Sequence, residues 1–367
     1  MTTMSPLRIV FRTDANQQIG TGHFMRCLTL ADEMRRSAAD ICFVVRELPM
    51  HLQQMLLDRG IQYIALPKTE VTQEADELPH ALWLQTSQKK DAEQTLVALG
   101  VGIWDWLVVD HYSLDHRFET TLRKVCKLVM AIDDLADRVH DCDVLLDQNY
   151  YADQAQRYLG KVPPQCRLLL GPSFALLRPE FKAKREKLQT RAGEVKNLLV
   201  FFGGVDADNL TGQILNVLIN LKLGVHVSVV VGQQHPQKEK IQQLCAHNGY
   251  ACHVQTSDMA CLMAEADLSI GAGGSATWER CALGLPTIVI ATAHHQIKAA
   301  KDLSDIGISK YLGFWSELNF EKIQQNIKKI IKDKIYLHEM SVNSLNLVDG
   351  DGAVKILSII LENHDGR

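Results

Sequence analysis

Residues 7–34 read LRIVFRTDANQQIGTGHFMRCLTLADEM, and the class of the fold follows from how this stretch divides. Residues 7–11 form a short apolar run rich in branched side chains, which suits a strand buried on both faces of a parallel sheet. Gly20 and Gly22 then bracket Thr21, and from His23 onward Phe24, Cys27, Leu28, Ala31 and Met34 recur at helical spacing. The stretch is therefore strand, glycine-rich loop, helix, with a histidine in the first helical turn. Amide N–H groups at a helix start are unpaired and carry partial positive charge, so an anion can sit there. The same field disfavours imidazolium, which makes His23 a candidate general base. Turn geometry alone would also account for the glycines, with His23 an ordinary residue of the cap region.

The pattern repeats downstream. Residues 40–45, 62–66, 106–110, 127–133 and 144–146 are strand-like runs, with helical spacing at 50–59 and from about 78 to 99. Residues 69–77 are polar and read as a loop. Strands alternating with helices imply a parallel sheet covered on both faces, and in such sheets ligands bind beyond the carboxyl ends of strands. Asp110-His111-Tyr112, Asp133-Asp134 and Asp147-Gln148-Asn149 stand at such ends, although capping and turns use the same residue types. After 168–170 and Gly171-Pro172, the charged stretch 179–194 reads as a helix and as the connection between domains. A second series has strands at 198–204, 225–231, 250–254, 267–270 and 286–290. Its helices fall near 210–221, 237–247, 259–266, 276–283 and 296–306, and amphipathic helices at 318–331 and 354–361 follow. The expectation is an α/β chain of two Rossmann-like domains facing a cleft, residues 1–178 and 179–367.

Composition narrows the class. At 367 residues the chain exceeds one ordinary core, and 46% hydrophobic with 22% charged residues is the make-up of a soluble globular protein. A net charge of −4 without a Lys/Arg-rich block argues against nucleic acid as a partner. The apolar runs are strand-length, so no membrane span is expected, and MTTMSPLRIVF lacks the form of a signal peptide. Nine scattered cysteines without a Cys-x-x-Cys pair point to reduced thiols and a cytoplasmic location. Cys245, His247, Cys252 and His253 match no usual zinc spacing, so neither a metal nor a cofactor is assigned.

The second glycine-rich turn, GAGGSATWERCALGLP at 271–286, has the make-up of a diphosphate site. Gly273 and Gly274 let backbone amides approach a ligand, and Ser275 adds a hydroxyl at a helix start. Glu279, about one turn on, can accept two hydrogen bonds from vicinal hydroxyls such as those of a ribose. The alternative is a solvated Glu279 beside glycines that serve packing. Two Rossmann halves with glycines in each describe a nucleotide-sugar enzyme better than a dehydrogenase, because Met25 breaks the Gly-x-Gly-x-x-Gly fingerprint.

These residues together resemble a known family, the UDP-2,4-diacetamido-2,4,6-trideoxy-β-L-altropyranose hydrolases of pseudaminic acid biosynthesis (PseG), with a glycosyltransferase-B-like fold. The matching pieces are Arg12-Thr13-Asp14, residues 19–28, Val109-Asp110-His111-Tyr112, residues 132–138, Asp147-Gln148-Asn149, Gly171-Pro172, residues 175–181, residues 202–206 and residues 271–286. The resemblance implies that His23 is catalytic and that Gly203, Gly204, Gly273, Gly274, Ser275 and Glu279 bind the nucleotide. Substrate contacts are assigned to Asp14, Gly20, Gly22, Arg26, Tyr112, Asn149 and Gln296. An Asn is expected before Gln296, whereas His295 stands there. The implied reaction releases the free sugar and UDP, with flagellin or surface glycan modification downstream.

The chemistry fits such a set. UDP leaves as a stabilised anion and needs no protonating acid, so a positioned water, a base and donors for the diphosphate suffice. His23 is the expected base, with Asp14 or Tyr112 orienting it or the water. Direct attack of water at the anomeric carbon inverts its configuration. The alternatives are a glycosyltransferase with a UDP-sugar donor, a UDP-sugar 2-epimerase, and a nucleotide-sugar-binding or assembly subunit without catalysis.

Overall fold

The computed structural model describes residues 6–68 and 77–365. The loop expected at 69–77 lies almost wholly outside them. By contacts the chain forms two units, one of Met1–Asn149, Asp153–Leu176 and Gly352–Arg367, the other of Tyr150–Ala152 and Leu177–Asp351. No helix of the described residues is long and apolar enough to cross a membrane.

The strands of the first unit are β1 (Arg8–Thr13), β2 (Asp40–Val45), β3 (Gln62–Ala65), β4 (Trp104–Asp110), β5 (Cys126–Ile132), β6 (Val144–Asp147) and β7 (Arg167–Leu170). They pair in parallel in the order β3-β2-β1-β4-β5-β6-β7. Successive residues of β1 serve opposite faces: Ile9 and Phe11 join one buried cluster, Val10 the other. Both faces are covered, so the strands read as unbroken apolar runs and not as alternating ones. Helix Gly22–Arg36 lays Phe24, Cys27, Leu28, Ala31 and Met34 on the first face. Helices Gln88–Leu99 and His116–Leu122 cover the second through Ala92, Leu99, Phe118 and Leu122.

The second unit holds β8 (Asn197–Phe201), β9 (His226–Val231), β10 (Ala251–Val254), β11 (Leu268–Gly271), β12 (Thr287–Ala291) and β13 (Lys310–Phe314), ordered β10-β9-β8-β11-β12-β13. Each sheet reverses its strand order once, between β1 and β4 in the first unit and between β8 and β11 in the second. Chain segments leave the sheet in opposite directions at such a point and open a crevice, which is where ligands of this architecture bind.

Several elements differ from expectation. The helix expected over 78–99 is broken: Ala81–Leu84 is a single tight turn, Gln85 is left-handed, and Ser87 restarts the helix by accepting from the Lys90 amide. The helix expected over 179–194 ends at Arg185. Helix Lys334–Leu347 escapes a hydrophobic-period search because Ser341 and Ser344 share its buried face with Leu337 and Met340. Those hydroxyls donate to the carbonyls of Gly284 and Ile308.

The last helix, Gly352–Asp365, marks the largest difference. It packs on the first unit, where Ile356 and Ile360 are fully buried against the β1 side of the sheet, so the second domain does not extend from 179 to 367. Truncating Ile360 to Ala should cost about 2–5 kcal/mol of stability, read from urea unfolding. A loss below about 0.5 kcal/mol, the level of a surface substitution, would mean that this helix is not docked.

Candidate active site

In the first unit the chain leaves β1 through a loop held by Asn16. Its Oδ1 accepts from the amides of Gln18 and Ile19, and its carbonyl accepts from the Gly20 amide. Gly20 has φ of 77°, a left-handed conformation that lets the chain turn at once into the helix beginning at Gly22. Thr21 precedes that helix without a side-chain cap, and its first turn carries no acidic residue. His23 and Arg26, three residues apart, therefore share one face and meet the end of β4.

There Asp110 is completely buried. Its Oδ1 lies 2.6 Å from His23 Nδ1 and accepts from Arg26 Nη2 at 2.7 Å, while Oδ2 accepts from Arg26 Nε at 2.6 Å. Burial would raise the Asp110 pKa, but the charge of Arg26 and the hydrogen bonds from Arg26 and His23 hold it below the usual carboxylate range. An ionised carboxylate only accepts hydrogen bonds, so His23 Nδ1 carries the proton and Nε2 is left as the basic nitrogen. Arg26 Nη1 reaches on to Asp134 Oδ2 at 3.0 Å, and Asp134 also accepts from the Tyr112 hydroxyl. The Tyr112 ring meets His23 edge-on at 4.4 Å, with His80 and Trp83 against its other sides.

The sequence points to Asp14 or Tyr112 as the group that orients His23 or the water; the structure puts Asp110 on His23 Nδ1, with the Tyr112 ring against the imidazole. Asp14 is 2% exposed and committed elsewhere, to Arg12 Nη1, to the amides of Arg46 and Glu47, and to His111 Nε2 at 3.3 Å. That partner set ties the β1 and β2 ends together, with Oδ1 taking Arg12 and both amides and Oδ2 facing His111. Gly20 is half-buried and Gly22 exposed in the loop that leads into His23. In the sequence Asp110 and Asp134 are marked only by their strand-end position, and His80 and Trp83 carry no local signal.

At the end of β6, Asp147 accepts from the Asn149 amide and the Tyr158 hydroxyl. Burial, with Asp134 nearby, pushes its pKa up to about 7. Gln148 is buried and holds the Leu176 amide, whereas the Asn149 side chain stands partly open.

The second unit brings its glycine-rich turns to the β8–β11 switch point. Gly203, at φ of 104°, and Gly204 follow β8, and Gly232 approaches so closely that a β-carbon there would fall 1.9 Å from the Gly204 carbonyl oxygen. Asp206 occupies the start of helix Leu210–Leu221 by accepting from the Leu210 and Thr211 amides, so that helix start already has its anion. After β11, the amides of Gly273, Gly274 and Ser275 enter no hydrogen bond among the described residues. Gln296 lies beside this turn, close to Gly273, with its Oε1 accepting from Thr292. Glu279 Oε1 accepts from Arg178 Nη2 at 3.2 Å. Burial raises its pKa against the pull of that arginine.

Residues 197–355 match the glycosyltransferase family 28 C-terminal domain. The chain is similar to the UDP-2,4-diacetamido-2,4,6-trideoxy-β-L-altropyranose hydrolase of Campylobacter jejuni, at 29% identity over 268 residues, covering 71% of this chain and 83% of that protein. It is also similar to a Helicobacter pylori protein named pseudaminic acid cytidylyltransferase and UDP-2,4-diacetamido-2,4,6-trideoxy-β-L-altropyranose hydrolase. There the identity is 22% over 265 residues, covering 72% of this chain but only 46% of that protein. Among solved structures, MurG of Acinetobacter baumannii matches with a TM-score of 0.63 at 16% identity, over 98% of this chain and all of its own. The resemblance read from the sequence and the two-domain, glycosyltransferase-B-like α/β fold are both upheld.

Asp147 makes a pH signature measurable. Between its ordinary value of 3.8 and about 7, the folded protein holds a proton there that the unfolded chain releases. Stability contributed by this residue therefore falls as pH rises through that window, by up to about 1.4 kcal/mol per pH unit. Asp147→Asn keeps an acceptor and should gain on the wild type steadily from the acid end to neutrality in urea unfolding. Parallel pH profiles for the two proteins would show that Asp147 ionises normally.

Proposed function

We propose that the protein hydrolyses UDP-2,4-diacetamido-2,4,6-trideoxy-β-L-altropyranose to the free sugar and UDP, a cytoplasmic step of pseudaminic acid biosynthesis. The observation that carries this reading is the buried Asp110 carboxylate 2.6 Å from His23 Nδ1, which leaves Nε2 to take a proton from water. The likeness to the Campylobacter jejuni hydrolase supplies the substrate class. His23 is the base, Asp110 holds its tautomer, and Arg26 and Tyr112 position it. Gly20, Gly22 and Asn149 are assigned to the sugar.

The second unit binds UDP. Amides of Gly203, Gly204, Gly273, Gly274 and Ser275 are assigned to the diphosphate, with Gln296 beside them, and Glu279 to the ribose hydroxyls. Growing charge on the departing diphosphate is met by these donors, so no carboxylic acid has to protonate it. Water attacks the anomeric carbon and inverts it. The match of residues 197–355 to a glycosyltransferase domain favours one rival, transfer from the same donor to an acceptor other than water. Measuring UDP release from UDP-linked diacetamido-trideoxyhexoses with and without acceptors separates the two.

Replacing His23 by Ala should reduce turnover by ~10²–10⁴, the usual contribution of a general base, with UDP affinity nearly unchanged. Near-normal turnover would remove His23 from the chemistry. In oxygen-18 water the label should enter the anomeric hydroxyl of the sugar and be absent from UDP. Label in the diphosphate, or a first-formed sugar of retained configuration, would place the attack elsewhere.

A further inference from the structure

We propose that Arg280 is a positioning residue for a diphosphate, a buried cation beneath the Gly271–Ser275 turn whose counter-ion is the ligand itself. The inference rests on the reading that the second unit binds UDP, and it names the group that makes this turn selective for the diphosphate over the rest of the nucleotide.

Arg280 is 2% exposed. Its Nη2 donates to the Ala272 carbonyl at 2.6 Å and to Thr277 Oγ1 at 3.1 Å. Its Nε and Nη1 are shut off from solvent and have no hydrogen-bond partner among the described residues. No carboxylate among those residues lies within ion-pair distance of it. Among the described residues, the other buried arginines are not left in this state. Arg12 and Arg46 share Asp91, Arg26 has Asp110 and Asp134, and Arg138 has Asp133. Arg191, in the same unit, also lacks a carboxylate, but its Nε, Nη1 and Nη2 all donate to carbonyls, those of Ala266, Leu283, Gly284, Met263 and Ala264. Arg191 is what a structural arginine looks like here, and Arg280 departs from it.

Leaving a buried cation half-satisfied is costly, and burial pulls the Arg280 pKa down to about 10 with little to offset it. Its place explains what would offset that cost. A β-carbon on Gly271 would fall 2.8 Å from Arg280 Nη1 and 2.2 Å from the Phe201 carbonyl oxygen. The guanidinium therefore lies where the ends of β8 and β11 converge, at the switch point, and only glycine at 271 leaves it room. Directly above in the chain are the unpartnered amides of Gly273, Gly274 and Ser275. By holding the Ala272 carbonyl, Arg280 fixes that turn, and its charge adds to the potential of amides that already face no acceptor. A dianionic or trianionic group with oxygens on two phosphorus atoms satisfies this arrangement better than a neutral nucleoside does.

The test compares uridine, UMP and UDP as ligands in titration calorimetry with the full chain. Arg280→Met should weaken UDP by about tenfold or more, the scale of a lost charge-assisted interaction, UMP by less, and uridine by less than about twofold. Arg280→Lys, which keeps the charge, should recover most of the UDP affinity, and the salt dependence of UDP binding should be shallower in the Met variant than in the Lys variant. Equal losses for uridine and UDP, or an unchanged UDP affinity, would overturn the proposal. If the Met variant does not fold, Arg280→Gln takes its place; failure of both neutral variants to fold makes Arg280 structural and also overturns it. Wild-type protein that binds none of the three ligands would instead sink the nucleotide reading on which the proposal rests.

Discussion

A carboxylate taken wholly out of water has to be neutralised where it sits, and Asp110 is neutralised by Arg26, whose guanidinium grips both its oxygens. The arrangement around the candidate catalytic residue depends on that pair. Arg26 is one turn along the helix from His23, so anchoring one to the end of β4 delivers the other to the same carboxylate. The proton on His23 Nδ1 is thereby fixed, and with it the nitrogen left to act as base. Because Arg26 also reaches Asp134, and Asp134 holds Tyr112, the restraint passes across the strand ends to the ring that packs on His23. A buried ion pair adds little net stability against apolar side chains of the same size. What it supplies here is direction.

The two units solve the same problem with different materials. Each reverses strand order at its centre and collects polar groups there. In the first unit the crevice is built from paired charges, which hold side chains in one orientation. In the second it is built from glycines, which bring backbone together: Gly204 against Gly232, and Gly271 against the end of β8. The first arrangement suits moving a proton at a defined atom. The second suits surrounding an anion with amides, and the half-satisfied guanidinium of Arg280 lies within it.

Much of this was legible in the sequence. Apolar runs of strand length, broken by glycines and followed by helical periodicity, are dictated by burial on both faces of a parallel sheet, and they appear in this chain at nearly every strand. The glycine-rich turns and His23 were legible for the same local reason, since left-handed backbone and a helix start leave marks within a few residues. Where local marks are weak the sequence conceals the element. Ser341 and Ser344 hid a buried helix face, and Gln85 broke a helix that composition would have carried through.

The sequence by itself determined the α/β class, the two Rossmann-like series and the places where loops could meet a ligand, because each depends on residues close along the chain. Only the tertiary structure decided which strand-end aspartate pairs with His23, that Asp14 is consumed by the scaffold, and that the last helix returns to the first unit. Those outcomes depend on contacts between residues far apart in the chain, 87 positions apart for His23 and Asp110. Asp14 and Asp110 both follow apolar strands and look alike in the sequence. They differ in what folding brings beside them, the Arg46 amide and His111 for the one and His23 with Arg26 for the other, and that is a property of the packed sheet.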